Sequence, residues 1–445
     1  MTNPYVPNPP SVRAEMLKEL GLEDVEKLFS DIPPECRFAG LSFPPKSEPE
    51  LLRFFGEVLS KNRPVLCFMG GGVWPHHSPP HIRHLTGLPG FRTSYTPYQP
   101  ELNQGVLQAL FEYQSLVAEL VGLEVVNASM YDWATAVGEA ALMCFRLTRA
   151  RKFLVPEFMG PERYSTLLNY ARGPGMEVVR IAQHPRTGQL DLGALEAELE
   201  GAAGVYLENP SFLGFLETQV EEISSLVHRT GALLVVGVNP ISLGLLRPPG
   251  DYGADLVVGE GQPLGLPMAF GGLSLGIFAC RKELVRQMPG RLIGMTRDAE
   301  GRRAFCMVLQ TREQHIRRER ATSNICTNET LCAIAAAIYL STLGSRGLRR
   351  VAELCASNAR YLMRGMESLG LKVLFDAPHF NEFAVSCPLP AGELNRRLLE
   401  FGIVGGRPLK GDFPRLGESL LFCTTEAHSK EDLDRLLGAL GECVR

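Results

Sequence analysis

Val205-Tyr206-Leu207, Leu233-Leu234-Val235-Val236 and Leu256-Val257-Val258 are short, continuously apolar runs, and the first two are separated by residues 217–230, which carry a helical pattern. Runs of this kind, apolar on both faces and alternating with helices, describe strands buried under helices on either side of a largely parallel sheet. The alternation extends outward in both directions. Upstream lie Phe153–Val155, the helical stretch 161–172 and Val178–Ile181. Further upstream Val106, Leu107, Leu110, Phe111, Leu116, Val117 and Leu120 keep helical spacing and stop before Gly122, a suitable C-terminal cap. Downstream, helical patterns over Thr330–Leu343 and Leu348–Leu369 lead into strands near Phe383–Ser386 and Leu420–Cys423, with a last helix from Glu431. The fold class expected is α/β, with a large domain over residues 61–327 and a smaller C-terminal α/β domain over 328–445. Residues 1–60, interrupted by Pro7–Pro10, Pro33-Pro34 and Pro44-Pro45, are expected to form an arm of short helices without a core of its own.

Composition narrows the function classes. With 45 basic and 49 acidic residues in 445, the net charge is −4, and no basic field exists to attract nucleic acid or an anionic membrane. The start of the chain lacks a basic segment followed by an apolar stretch, and no run of about 18 apolar residues occurs, so a soluble, cytoplasmic chain is expected. The eleven cysteines never show the two-residue spacing of zinc sites and redox dithiols, and read as reduced core thiols. Only nine lysines occur: Lys18, Lys27, Lys46, Lys61, Lys152, Lys282, Lys372, Lys410 and Lys430.

Several motifs invite a chemical reading beside a plain one. Gly70-Gly71-Gly72 follows an apolar run but matches neither the P-loop nor the dinucleotide fingerprint, so a simple loop is expected. His76, His77, His81 and His84 cluster, yet no acidic residue lies between Val73 and Gly90 to complete a shell, and no metal site is expected there. Asp132 is placed to cap the helix running to Arg146, a terminus that with Ser129 and Thr135 is either an anion site or only a capped start. Arg312–Arg320 mixes charges as a solvated helix with intrahelical pairs does.

The segments Tyr95-Thr96-Pro97-Tyr98-Gln99-Pro100 and Thr322-Ser323-Asn324-Ile325-Cys326, with Asn127-Ala128-Ser129, Arg247–Gly250, Gly265–Gly272, Met288-Pro289-Gly290-Arg291 and Leu309–Thr327, resemble the P-protein of the glycine cleavage system, in particular the lysine-less first subunit of its split form. The resemblance runs through most of the chain, with Trp133 a departure where other members carry smaller or acidic residues. It implies the fold-type I architecture of pyridoxal-phosphate-dependent transferases. Such enzymes need a lysine for the Schiff base and a carboxylate facing the pyridine nitrogen. Matching Leu266-Pro267 and Gly271-Gly272 puts Gln262 at the lysine position, and no Asp or Glu occurs from Ala232 through Pro249.

The resemblance therefore implies a chain with no catalytic residue of its own and a degenerate cofactor pocket. It would act with a homologous lysine-bearing subunit that holds pyridoxal 5'-phosphate covalently, as a pair or as a heterotetramer. Together they would release carbon dioxide from glycine and transfer the aminomethyl group to the lipoyl arm of H-protein. Tyr95, Thr96, Tyr98 and Gln99 are the candidate contacts to substrate or subunit interface, and Thr322, Ser323 and Asn324 the candidates for reaching the partner's cofactor. The alternative is a scaffold that only stabilises the partner or docks H-protein.

Overall fold

The computed structural model describes residues 5, 8–38, 40, 42–63, 65–94, 96–325 and 329–444. Two compact units emerge, Met1–Arg63 and Pro64–Arg445. In the first, helices Pro10–Glu19 and Glu48–Leu59 flank two short 3-10 turns, and none of its described residues is buried. Its best-formed element is Glu48–Leu59, whose start is closed by a capping box: Ser47 Oγ and backbone N–H both donate to Glu50, at 2.7 and 2.8 Å.

The strands of the second unit are, in chain order, β1 (Leu66–Cys67), β2 (Val125–Val126), β3 (Lys152–Pro156), β4 (Glu177–Ile181), β5 (Ala202–Glu208), β6 (Leu233–Val238), β7 (Leu256–Glu260) and β8 (Gly276–Cys280). They continue with β9 (Leu292–Arg297), β10 (Arg303–Val308), β11 (Glu382–Ser386), β12 (Ile403–Val404), β13 (Arg407–Pro408) and β14 (Ser419–Cys423). Seven of them form the main sheet in the order β2-β8-β7-β6-β5-β3-β4. The pairs from β7 to β4 are parallel, and β8 and β2 are added antiparallel at one edge.

Period-two alternation explains why the strands read as unbroken apolar runs. In β6, Leu234, Val236 and Val238 enter one core, while Val235 enters the other. In β5, Val205 and Leu207 face the first and Tyr206 the second. Both faces of the sheet are buried, so no position can be polar for the sake of water. Helix Gln104–Val121 and the first half of Thr330–Ser368 pack on the first core, and helix Trp133–Thr148 packs on the second. The Gln104–Val121 helix ends on Gly122 in the left-handed conformation (φ 71°), the cap that its sequence requires.

Thr330–Ser368 is long and apolar enough to cross a membrane, but half of its most apolar window is buried within the protein. It breaks at Gly344 (φ 59°, ψ −176°), between the two helical patterns seen in the sequence. A third core gathers the second half of this helix, β11, β14 and helix Lys430–Cys443. Phe68 joins it because β1 pairs in parallel with β12. The chain thus visits the C-terminal layer before it builds the main sheet.

Residues 310–320 depart from the expected solvated helix. They form a 3-10 turn (Gln310–Arg312), one helical turn (Gln314–Arg317) and another 3-10 turn (Arg318–Arg320). The break follows from Arg312, which is buried and spends its guanidinium on the carbonyls of Met288 and Gly290, the latter at 3.0 Å. A side chain pulled inward to fasten another loop cannot also make intrahelical surface pairs.

Candidate functional site

The carboxyl ends of parallel strands are where such sheets place their ligands, and in this chain that region is occupied by its own side chains. Glu208, at the end of β5, is buried and paired with Arg163, whose Nε and Nη2 donate to its two oxygens at 2.7 and 3.0 Å. Tyr206 donates its hydroxyl to the same carboxylate at 3.1 Å. The Arg163 guanidinium lies 4.0 Å from the ring centroid of Trp133, the residue that opens helix Trp133–Thr148. The space is full to the backbone. A Cβ at Gly237 would strike the Tyr206 hydroxyl and lie 2.8 Å from the Trp133 ring, and one at Gly160 would lie 2.6 Å from the Arg163 guanidinium.

The helix start beneath is equally engaged. Asp132 caps it through the backbone N–H of Thr135 at 2.7 Å, and the Trp133 N–H donates to Glu260 at 3.3 Å. Glu260 also accepts from the N–H groups of Gln262 (3.0 Å) and Leu275 (2.9 Å). Burial pushes this carboxyl up to about 7, while those three backbone donors pull it back. Two carboxyl groups therefore take the place that a phosphate would take. The terminus is a capped start and not an anion site.

Gln262 is 2% exposed and its amide is saturated. The side-chain Nε2 donates to the carbonyl of Leu266 (2.9 Å) and to that of Trp74 (3.4 Å), and Oε1 accepts from the Trp74 N–H at 3.2 Å. At the end of β6, Asn239 offers an amide and not a carboxylate, with its Oδ1 bound to the Ile241 N–H at 3.1 Å. The Gly70–Gly72 loop cradles no phosphate either: the Gly71 N–H donates to Glu382 at 2.7 Å, and burial lifts that carboxyl to about 7. The residues present do not fit pyridoxal phosphate: the strand ends and the helix terminus are engaged by the chain's own side chains, and Gln262, where the resemblance expects a lysine, is a carboxamide already bound to Trp74 and Leu266.

A second polar group lies elsewhere in the same unit. Tyr98 is 45% exposed, receives a hydrogen bond from Arg291 Nη2 at 3.2 Å and packs edge-on against His315, with ring centroids 5.4 Å apart. Glu313 lies between the two side chains, 3.7 Å from Arg291 Nε and 3.6 Å from His315 Nδ1. A small cleft lined by Gly290, Arg291, Arg312, Glu313, Thr322 and Ser323 joins this group to the second candidate segment. Within that segment Ser323 Oγ donates to the buried Glu139 at 2.8 Å, and Asn324 Oδ1 accepts from Gln314 at 3.5 Å.

The two candidate sets, separated by more than two hundred residues, are thus brought to one surface. Thr96 contributes a carbonyl to the Tyr98 N–H at 2.8 Å, buried Pro97 anchors the turn, and Gln99 is exposed beside it. Tyr95 lies outside the described residues, as do residues 326–328. Arg163, Glu208, Glu313 and His315 were not distinguishable as site residues in the sequence. The one available signal was Glu208 at a strand end, just before Asn209-Pro210, where functional carboxylates gather.

The family model of the glycine cleavage system P-protein matches residues 3–440. The chain belongs to the glycine cleavage system P-protein family. Among P-proteins it is 50% identical over 446 residues to one from Thermococcus kodakarensis, named "Probable glycine dehydrogenase (decarboxylating) subunit 1", covering 99% of this chain and 98% of that one. A protein of the same name from Moorella thermoacetica is 45% identical, covering 98% of both. The crystal structure of a glycine decarboxylase (P-protein) of the glycine cleavage system, in inhibitor-bound form, superposes with a TM-score of 0.90 at 41% identity over the whole of both chains. A cysteine desulfurase from Thermococcus onnurineus NA1, with a TM-score of 0.65 at 18% identity over 90% of this chain and 99% of that one, shares the fold. The α/β fold-type I architecture expected from sequence is the one observed, with its mostly parallel central sheet.

Proposed function

We propose that this P-protein chain is the lysine-less subunit of a glycine decarboxylase and works only with a homologous subunit whose lysine holds pyridoxal phosphate. The observation that carries this reading is Gln262, which the resemblance sets where the family's lysine would stand and which is buried with its amide committed to Trp74 and Leu266. A carboxamide forms no imine, and Arg163 and Trp133 fill the space beside Gly160 and Gly237 at the strand ends. The cofactor, held by the partner, would supply the electron sink for loss of carbon dioxide from glycine before the aminomethyl group passes to the lipoyl arm of H-protein.

This chain's share is placement and shielding at the junction. Tyr98 would present its hydroxyl and ring face to the partner's site, with Arg291 and Glu313 fixing the orientation of the phenol. Thr96 and Gln99, with Tyr95, would complete that edge. Thr322, Ser323 and Asn324 would approach the partner's cofactor from the neighbouring segment, which Ser323 ties to Glu139. The assembly, an αβ pair or its dimer, would work in the cytoplasm.

The test is to purify the chain alone and with a lysine-bearing partner. Visible absorption of bound pyridoxal phosphate, and carbon dioxide release from glycine with lipoylated H-protein, are expected from the pair only. Borohydride trapping that fixes the cofactor to any lysine of this chain would overturn the reading. Unchanged turnover in an intact pair carrying Tyr98→Ala would reduce the chain to a scaffold.

A further inference from the structure

Bordering the cavity that Gln262 also lines, three metal-ligating side chains from distant parts of the chain meet. His76 precedes the first helix of the large unit, Cys355 lies in the second half of Thr330–Ser368, and Glu426 follows β14. His76 Nδ1 is 2.7 Å from Glu426 Oε2, and Cys355 Sγ is 3.5 Å from the same oxygen. One donor atom from each residue lies within 4.8 Å of the other two.

We propose that His76, Cys355 and Glu426 bind a divalent ion of the zinc class, and this stands independently of the decarboxylase reading. Bond lengths of about 2.0–2.3 Å to nitrogen, oxygen and sulfur place tetrahedral ligands roughly 3.3–3.8 Å apart, so small side-chain rotations close the set. A mixed imidazole, thiolate and carboxylate group suits zinc and cobalt(II) over calcium or magnesium.

All three ligands are shielded from water. The His76 side chain is 2% exposed, that of Glu426 is 10% exposed, and Cys355 is fully buried. In binding, the thiol releases its proton to solvent as the metal–sulfur bond forms, and the neutral imidazole ligates through Nδ1 with its proton on Nε2. Thiolate and carboxylate then balance the dication, leaving a neutral buried group. Nε2 is buried without a hydrogen-bond partner among the described residues, so the ring is fixed by packing and by what Nδ1 binds.

The second oxygen of Glu426 accepts from the His77 N–H at 2.7 Å, which orients the carboxylate. Thr425 Oγ1 donates to the carbonyl of Pro75 at 2.8 Å and holds the two loops together without help from the ion. A fourth position would open toward a cavity of about 520 Å³ lined by His77, Ser78, Gln262 and Met268, where water can complete the tetrahedron. Sequence could not reveal this set, because its acidic member stands about 350 residues from the histidine cluster.

The experiment uses the full-length chain, equilibrated with zinc chloride, freed of excess by gel filtration and assayed by elemental mass spectrometry. About one equivalent should remain, and cobalt(II) should give a thiolate charge-transfer band in the near ultraviolet. Cys355→Ser should abolish that band and weaken binding at least about tenfold, while Cys144→Ser, a buried thiol in another core, should change neither. Retention of less than about a tenth of an equivalent, or retention unaltered by both Cys355→Ser and Glu426→Gln, overturns the site. Should the Cys355 variant fail to fold, the cobalt spectrum of the unsubstituted chain decides, and absence of the thiolate band overturns the proposal.

Discussion

The end of the main sheet and the Tyr98 surface differ in how their polar groups are satisfied. Arg163 and Glu208 are buried and paired, and the guanidinium lies over the Trp133 ring. Around Tyr98, Arg291, Glu313 and His315 the contacts are looser, 3.2–3.7 Å, and the phenol is half exposed. A sealed ion pair costs desolvation and gains little over an apolar core, but it cannot be broken cheaply. A half-exposed polar group keeps donor capacity for something outside the chain. The strand ends are filled by the chain's own side chains, and the capacity for recognition lies at the surface.

Arg163→Ala tests the sealed side most severely. It strands Glu208 in the core, and the expected loss is about 3–5 kcal/mol, read as a lower denaturant midpoint. The double variant Arg163→Met/Glu208→Leu should recover most of it, and failure to recover would mean that the pair does more than fill space.

The next effect is on pH dependence. Glu260 and Glu382 stand at about 7 in the folded chain against an ordinary 4.5, so the folded state holds protons that the unfolded state has released between those values. Stability should therefore fall as pH rises from about 4.5 to 7 and level off above, each group contributing a slope of about 1.4 kcal/mol per pH unit across that window. Glu382→Gln should flatten its part of the slope in denaturation profiles at several pH values.

On the open side, Tyr98→Ala in the assembled pair should lower carbon dioxide release by about tenfold or more while leaving pairing and chain stability unchanged. Equal loss of assembly and activity would make it an interface residue only. The smallest effect expected is that of Ser323→Ala, about 1 kcal/mol, because Glu139 loses the Ser323 hydrogen bond and burial already holds its carboxyl above the usual range. Thermal unfolding of the single variant measures it.

Much was legible in the chain. The runs at Val205, Leu233 and Leu256 announced buried strands because a sheet covered on both faces leaves no polar alternation to read. Asp132 and Gly122 marked helix ends through local backbone chemistry, which depends only on near neighbours. Arg312–Arg320 misled for the converse reason, since a charge pattern records what side chains can do locally and not which of them a distant loop will claim.

The sequence by itself determined the order of the main strands and helices, the family, and that Gln262 is a carboxamide. Those are properties of local pattern and of residue identity at a fixed position. Only the tertiary structure decided that Arg163 and Trp133 fill the space above Glu208, that Tyr98 meets Arg291 and His315, and that Glu426 reaches His76. These are contacts between residues tens to hundreds of positions apart, set by how the cores pack, and no periodicity along the chain encodes them.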